Sequence, residues 1–487
     1  MTHQAPLLTA DHLEQVAAWG EASRSLSYVF RPSTAEGVAN VFTLARQTGQ
    51  TIALRGGGNS YGDAFSNAEG IVLDTTRLTR ILAWNPDTGI IRAEPGVTIE
   101  QLWQYVLGDG WWPPIVTGTA KTTLGGCAAM NTHGKNGWRK GTFGDHTLEF
   151  ELLLPTGEVK TCSRTTNSDL FYAAIGGAGL LGVFLSLTLQ MTRVYSGLLE
   201  VEAVARPHMA AMLADLAEHQ DTADYIVGWV DAFAGGSSLG RGEIHRAYYL
   251  PEGTDPAPTQ TLRRASQAIP DTIFGLVPKS SMWMFARPLT NNLGFRAINM
   301  AKYWAAVWRN GHRYRQSHVA FHFLLDYMPN WKRSYGRGGL IQYQVFLPKE
   351  TAVEGYKAIF GRCQQRGLPN YLSVLKRHRP ADFLLSYALD GYSMAMDFKI
   401  SDGRRGKIAA LAQELDEMVL GFGGRFYFAK DSTLRPEVAQ AYLGEPAIAQ
   451  FRALKQQCDP DNLLQTDLWR RVFGSFSISA SQLVAVS

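Results

Sequence analysis

Cysteine is scarce in this chain. Cys127, Cys162, Cys363 and Cys458 are its only four in 487 residues, and they stand far apart. None forms a C-x-x-C pair or a Cys/His metal spacing, so neither a zinc site nor a disulfide framework is expected, and the usage suits a reducing compartment. Net charge is also scarce: +4 at pH 7 is too small a basic excess for a dedicated nucleic-acid binder. No run of roughly 18 apolar residues occurs, so no membrane-spanning helix is expected. The N-terminus, MTHQAPLLTADHLEQV, has neither a basic n-region nor an apolar h-region, so a signal peptide is not expected. Internal repeats and low-complexity tracts are lacking. The most local absence is of acid: no Asp or Glu lies between Asp271 and Asp326. That tract holds Lys279, Arg287, Arg296, Lys302, Arg309, Arg313 and Arg315, beside Trp283, Phe285, Phe295, Tyr303, Trp304, Trp308 and Tyr314. Basic residues among aromatics suit an anionic lipid surface or a phosphate-bearing lipid substrate. They equally suit a helical hairpin with aromatics packed inward and solvated basic residues.

What remains is the composition of an ordinary globular protein, long enough for two or three domains. The chain is organised around Arg55–Asp63, RGGGNSYGD, which follows the apolar run Thr51-Ile52-Ala53-Leu54. Glycine permits left-handed angles and close approach of a ligand, and successive N–H groups in such a turn make an anion-binding concavity. A strand running into this loop is a reasonable pyrophosphate cradle, though not the G-x-G-x-x-G fingerprint that opens a helix. A glycine-rich surface turn without a ligand is the other reading. A second block of small residues runs from Thr117-Gly118-Thr119 through Thr122–Cys127 to Asn131–Asn136. Two such loops in one region favour a shared, flat ligand over tight packing alone.

Around these loops the pattern predicts helices over 33–48, capped by Ser33 or Thr34, and over Ile99–Leu107, capped by Thr98. Short strands are expected on either side of the turn Asn85–Gly89, over 148–163 and over 181–195. The pattern changes near Arg193, which places a domain boundary at about 196. Beyond it, Leu340–Phe346, Leu372–Lys376 and Ser393–Phe398 read as strands, with Gln342 and Gln344 on one face. A helix over 406–421 is followed by Arg425-Phe426-Tyr427-Phe428-Ala429-Lys430-Asp431, read as a short aromatic strand ending in a lysine. A last helix and Cys458-Asp459-Pro460-Asp461-Asn462-Leu463 close the chain.

The loop RGGGNSYGD, the block TTLGGCAAMNTHGKN and the loop GGAGLLGVF resemble the flavin domain of the vanillyl-alcohol-oxidase/PCMH superfamily. Within it, THGKN with the following GTFGDH, IQYQVFLP, GYSMAMDF, GGRFYFAKDS and CDPDNLL…TDLWRR resemble the decaprenylphosphoryl-β-D-ribose 2′-oxidase family, over nearly the whole chain. The resemblance implies an α+β, two-domain PCMH-type FAD-binding fold. Residues 1–196 would form the FAD-binding domain. Residues 197–424 would form a substrate domain built on an antiparallel sheet flanked by helices, and 425–487 would return to the FAD domain. Implied FAD contacts are Leu54, Arg55, Gly56, Gly57, Gly58, Asn59, Ser60, Tyr61, Gly62, Asp63 and Ala64. Further contacts are Gly118; Thr123, Leu124, Gly125 and Gly126; His133, Gly134, Lys135 and Asn136; Val183 and Phe184; and Tyr427. Many superfamily members attach flavin through a histidine where this chain has Asn59, so FAD is expected to be non-covalent.

The reaction implied is hydride transfer from C2′ of a polyprenylphosphoryl ribose to flavin N5, the first half of an epimerisation to the arabinose lipid for cell-envelope glycan synthesis. A separate NAD(P)H-dependent keto-reductase would complete it, and a quinone or O2 would reoxidise the flavin. Lys430, Tyr61 and His133 match family positions suited to proton transfer and positioning. Gln342, Gln344, Lys376, Ser393 and Ala395 fall at pocket positions. Ser393 stands where characterised members carry asparagine. Ala395 stands where they carry the cysteine that nitroaromatic inhibitors trap, so no such trapping is expected here. A cytoplasmic enzyme in peripheral contact with the inner membrane follows. Rival readings are a soluble alditol or sugar oxidase of the same superfamily, a flavin-dependent reductase of lipid double bonds, and a flavin-binding scaffold for a membrane partner.

Overall fold

The computed structural model describes residues 8–273 and 277–474. Local chemistry sets the first elements. The helix Ala35–Thr48 begins where Thr34 accepts a hydrogen bond from Gly37 N and ends at Gly49 in the left-handed region. The helix Ile99–Val106 opens with a reciprocal capping box between Thr98 and Gln101, which satisfies two free N–H groups of its first turn. Ile52–Arg55 and Arg24–Phe30 flank Ile71–Asp74 in parallel, and Leu13–Ala17 completes this four-stranded sheet. A five-stranded antiparallel sheet runs in the order Ile81–Asn85, Ile90–Ala93, Val183–Gln190, Thr147–Leu153, Val159–Ser163.

An eight-stranded antiparallel sheet takes its strands from Leu198 to Phe426, so the fold is α+β. Side chains on a strand alternate between faces, and the two faces of this sheet carry different chemistry. Ile341, Tyr343, Val345 and Leu347, with Met394, Met396 and Phe398 of the neighbouring strand, join the main hydrophobic core. There they meet the inward sides of the helices Met209–Glu218, Ala352–Gln365 and Asp402–Gly421. The intervening residues Gln342, Gln344, Ser393, Ala395 and Lys376 line a cavity on the opposite face. Register brings them together: Gln344 stands opposite Ala395, Gln342 opposite Asp397, and Lys376 opposite Ser393.

The described residues of the acid-free tract do not form a helical hairpin. They hold one long helix, Asn292–Trp308, followed by the edge strand His312–Ser317, which pairs with Leu198–Arg206. Its aromatics divide: Tyr303 is buried, while Trp304 and Trp308 are exposed.

The expected aromatic strand over 425–431 is also corrected. Only Arg425–Phe426 pairs, with Val345 and Phe346. The chain then turns, Lys430 N donating to Tyr427 O, because Ala429 O accepts from Tyr61 N of the glycine loop at 2.9 Å. The turn is held by Arg471, which bridges Asp63 (2.8 Å) and Asp431 (2.7 Å). Further on, Leu463 O accepts from Ile52 N, and Gln465 N donates to Ile52 O, adding the C-terminal segment to the edge of the parallel pair.

That addition is anchored by a buried ion pair. Asp459 accepts from Lys455 and from the N–H groups of Leu463 and Leu464, and Lys455 also donates to Leu464 O. Removing one member of a buried pair strands the other charge. Asp459→Ala is therefore expected to lower stability by about 3–5 kcal/mol, read as a fall in the urea midpoint. Lys455→Met with Asp459→Leu should recover most of that loss; equal losses in single and double variants would contradict the account.

Candidate active site

A cavity of about 670 Å³ lies between the glycine loop, the second small-residue block and the open face of the eight-stranded sheet. This is the size of a cofactor or ligand pocket. Leu54, Arg55, Gly56, Gly57, Gly58, Asn59, Ser60, Tyr61 and Ala64 line it, as do Gly118, Thr123, Gly125, Gly126, His133, Lys135, Val183, Phe184 and Tyr427. So the glycine loop is cavity wall rather than a free surface turn. Gly58 has φ +64°, and a Cβ there would meet the Arg55 guanidinium at 2.3 Å; only glycine fits this bend without displacement. Arg55 is held from the other side by Asp74 at 2.8 Å. Asn59 Nδ2 donates to Gly57 O and Lys121 O, so its side chain braces the loop.

Five of the expected cofactor contacts do not line the cavity. Gly62 packs against the Asp431 carbonyl, where a Cβ would fall 1.7 Å away. Asp63 is engaged by Arg471. Leu124 is fully buried in the core, and Gly134 packs under Val116 and Asn136. Asn136 donates to Pro114 O. These residues shape the loops that the others present.

At the sheet, the side chains form a compact polar cluster. Gln342 Nε2 donates to Asp397 Oδ1 at 2.6 Å, while Asp397 Oδ2 has no hydrogen-bond partner among the described residues. Burial lifts the Asp397 carboxyl to about 7, against the lowering effect of Gln342 and of Lys430. Lys430 Nζ sits 3.8 Å from the centroid of the Tyr61 ring. Burial brings its ammonium down to about 7; Asp397 holds it up and Lys376 pushes it further down. Lys376 falls to about 8 for the same reason, burial. Burial and the nearby Asp397 carboxylate hold the Tyr61 phenol well above its ordinary value. Gln344 Nε2 donates to His133 Nε2 at 2.9 Å, which requires a neutral imidazole carrying its proton on Nδ1. Burial, with Lys376 and His378 close by, keeps His133 well below its ordinary value and neutral. Ser393 Oγ is 2.8 Å from His378 Nε2, and the His378 ring stands edge-on to His133.

No Asp or Glu lines the cavity among the described residues, whereas Lys135, Lys376, Lys430 and Lys302 do. Burial lowers all four amines, so an anion bound among them would favour their charged forms and be held by them. Lys135 is buried, donates to Phe321 O and lies over the Phe321 ring. Asp397 is the important residue that motif reading passed over. It lies two residues beyond Ala395, so strand alternation puts it on the same face. Trp283 of the basic-aromatic tract lines the cavity, as do Trp19, His322, Tyr327 and Trp331; these four were not singled out in the sequence, and only the tertiary fold brings them in.

The family model for the FAD binding domain matches residues 26–163. Decaprenylphosphoryl-β-D-ribose oxidase of Mycolicibacterium smegmatis is 31% identical over 475 residues, spanning 94% of this chain and 97% of that protein. An uncharacterized protein of Streptomyces coelicolor is 30% identical over 385 residues, 77% of this chain and 100% of its own. L-gulonolactone oxidase of Bos taurus is 28% identical over 161 residues, 33% of this chain and 36% of its own. The chain is an FAD-dependent oxidoreductase. Its cavity fits that cofactor: the backbone N–H groups of Gly58, Asn59 and Ser60 make no hydrogen bond among the described residues, and buried Arg55 Nε has no partner. These donors would hold a pyrophosphate, and Thr123, Gly125 and Gly126 leave the facing wall small.

Asn59 provides no nucleophile for a flavin bond. Acid precipitation of the holoprotein is expected to leave all flavin absorbance in the supernatant; a yellow pellet would contradict non-covalent binding.

Proposed function

The chain belongs to the family of decaprenylphosphoryl-β-D-ribose oxidase, and on that premise we propose that it oxidises the 2′-hydroxyl of a polyprenylphosphoryl-β-D-ribose to the ketone. The observation that carries this reading is the near-neutral amine of Lys430 on the wall of a cavity lined by no acid among the described residues, with the buried Asp397–Gln342 pair acting on it from outside that lining. FAD, when bound, supplies the two-electron acceptor for the carbinol hydride. The remaining work falls to side chains. Lys430, as the neutral amine, takes the hydroxyl proton as the C2′–H bond breaks. Asp397, whose charge favours the protonated amine, stabilises the ammonium that results, and Gln342 fixes Asp397. Neutral His133, oriented by Gln344, cannot contribute a competing charge and offers a positioning hydrogen bond. Tyr61, 2% exposed, keeps water from the amine and so keeps its affinity for protons near neutral. Lys135 and Lys376 face the anionic part of the substrate or cofactor.

The product is a ketone, so completion of an epimerisation requires a reductase that uses NAD(P)H, acting as a separate partner. Reoxidation by a quinone or O2 closes the cycle. A lipid-borne substrate supports peripheral contact with the inner membrane, read here as contact from the cytoplasm; no helix among the described residues is long and apolar enough to cross one.

Anaerobic mixing of the holoenzyme with polyprenylphosphoryl ribose is expected to bleach the flavin, whereas free alditols and NADPH should not. Bleaching by an alditol would favour a soluble sugar oxidase, and bleaching by NADPH a double-bond reductase. Lys430→Ala should retain FAD and slow bleaching by about 10²–10⁴-fold.

The pH dependence has a defined sign. Lys430 is charged below about 7 and neutral above it, so bleaching should accelerate with rising pH and level off above neutrality. Asp397 holds the Lys430 pKa up, so Asp397→Asn should move this inflection to lower pH. An inflection that stays in place, or moves upward, would remove Lys430 from the role of base.

A further inference from the structure

The helix Asn292–Trp308 carries its apolar side chains on the wrong face for a soluble protein. Its buried positions are Gly294, Asn299, Tyr303 and Ala306, small or polar apart from one tyrosine. Its outer face reads Leu293, Ala297, Met300, Trp304 and Trp308, one every three or four residues and all exposed. Leu293 is 78% exposed and Trp308 88%. A helix that packs only against its own protein shows the reverse pattern. Beside it, Met284 and Phe285 of the short helix Met282–Ala286, with Leu289, are also exposed. The apolar residues therefore form a patch rather than isolated surface positions, and such patches mark interaction sites.

The charge carried by the tract itself has one sign. Arg287, Arg296 and Arg309 are exposed, and none has a carboxylate within ion-pair distance among the described residues. No acidic residue occurs from 272 to 325. The same two helices supply Trp283, Ala286, Phe295 and Lys302 to the cavity wall, so the patch is continuous with the site.

We infer that this face, the outer stripe of Asn292–Trp308 with Met284, Phe285 and Leu289, docks on an anionic lipid bilayer and sets the cavity against it. An apolar stripe with tryptophans and flanking arginines matches a helix lying in the headgroup region, where indole rings favour the interface and guanidinium groups meet anionic lipid. A second copy of this chain is the poorer occupant, because self-association would oppose two acid-free, basic faces. The inference stands apart from the identity of the sugar. It rests on the proposed function only for its purpose, delivery of a lipid-borne substrate to the cavity.

The test uses the holoenzyme and vesicles without substrate. It should float with phosphatidylcholine vesicles containing phosphatidylglycerol, float less with phosphatidylcholine alone, and show a blue shift of tryptophan emission on binding. The triple variant Leu293→Ser, Trp304→Ser, Trp308→Ser, none of which lines the cavity, should lower the anionic-vesicle partition by more than about tenfold. Its FAD content and its flavin bleaching by detergent-dispersed substrate should be unchanged. Wild-type protein that stays in the aqueous fraction, or a triple variant that floats equally, would overturn the inference. So would a wild-type dimer in equilibrium sedimentation that Trp308→Ser splits, since the stripe would then be a protein interface. If no polyprenylphosphoryl sugar bleaches the flavin but flotation persists, the substrate reading fails while the docking face stands.

Discussion

Arg471 holds two carboxylates at once, Asp63 of the glycine loop and Asp431 of the C-terminal segment, and the site depends on that bridge. Without it the two anions would repel each other and loosen the turn that carries Lys430 over Tyr61. The neighbouring hydrogen bond from Tyr61 N to Ala429 O sets the same alignment from the backbone side. Gly62 is pressed against the Asp431 carbonyl, so no side chain could be inserted there without separating the two segments. The glycine loop, the turn carrying Lys430 and the sheet edge thus meet at one partly buried ionic junction.

The electrostatics of the cavity follow from what is excluded. Asp397 is the carboxylate placed beside the buried cations; its free oxygen is unpartnered and its other oxygen is held by Gln342. Burial alone would drive Lys430 towards neutrality, and Lys376 adds to that push, while Asp397 opposes it. The balance leaves amine and carboxyl both titrating near 7, a poise suited to moving protons at physiological pH. Burial likewise keeps His133 and His378 neutral, so hydrogen bonds with Gln344 and Ser393 rather than charge fix their orientation.

Much of this was legible in residues. Caps at Thr34 and Thr98, the turn at Asn85–Gly89 and the small-residue loops gave the local elements of the flavin half, because caps, turns and close backbone approach depend on residue type at short range. The alternation in Leu340–Phe346 placed Gln342 and Gln344 on one face, and the sheet bears that out. Asp397 was overlooked because its partner lies on the adjacent strand, and pairing register is not written in either strand alone. The aromatic run after Gly424 read as a strand because Phe and Tyr favour one. Its hydrogen bonds went instead to the glycine loop, a tertiary competition invisible to propensity. Gly62, Asp63, Leu124, Gly134 and Asn136 sit inside recognisable motifs, yet the structure uses them to support the loops, since a motif records which residues recur together and not which of them face the cavity.

The sequence by itself determined where the chain could bend, which strands would have one polar face, and that a stretch rich in arginine and tryptophan would contain no acid. Those are properties of single residues and their near neighbours, set by backbone freedom, side-chain alternation and charge. Only the tertiary structure decided that Lys430 lies over Tyr61 beside Asp397, and that the tryptophans of Asn292–Trp308 point outward while Phe295 and Lys302 point to the cavity. Both outcomes turn on packing between segments distant in the chain, whose relative energies depend on burial and on which partner each buried group finds.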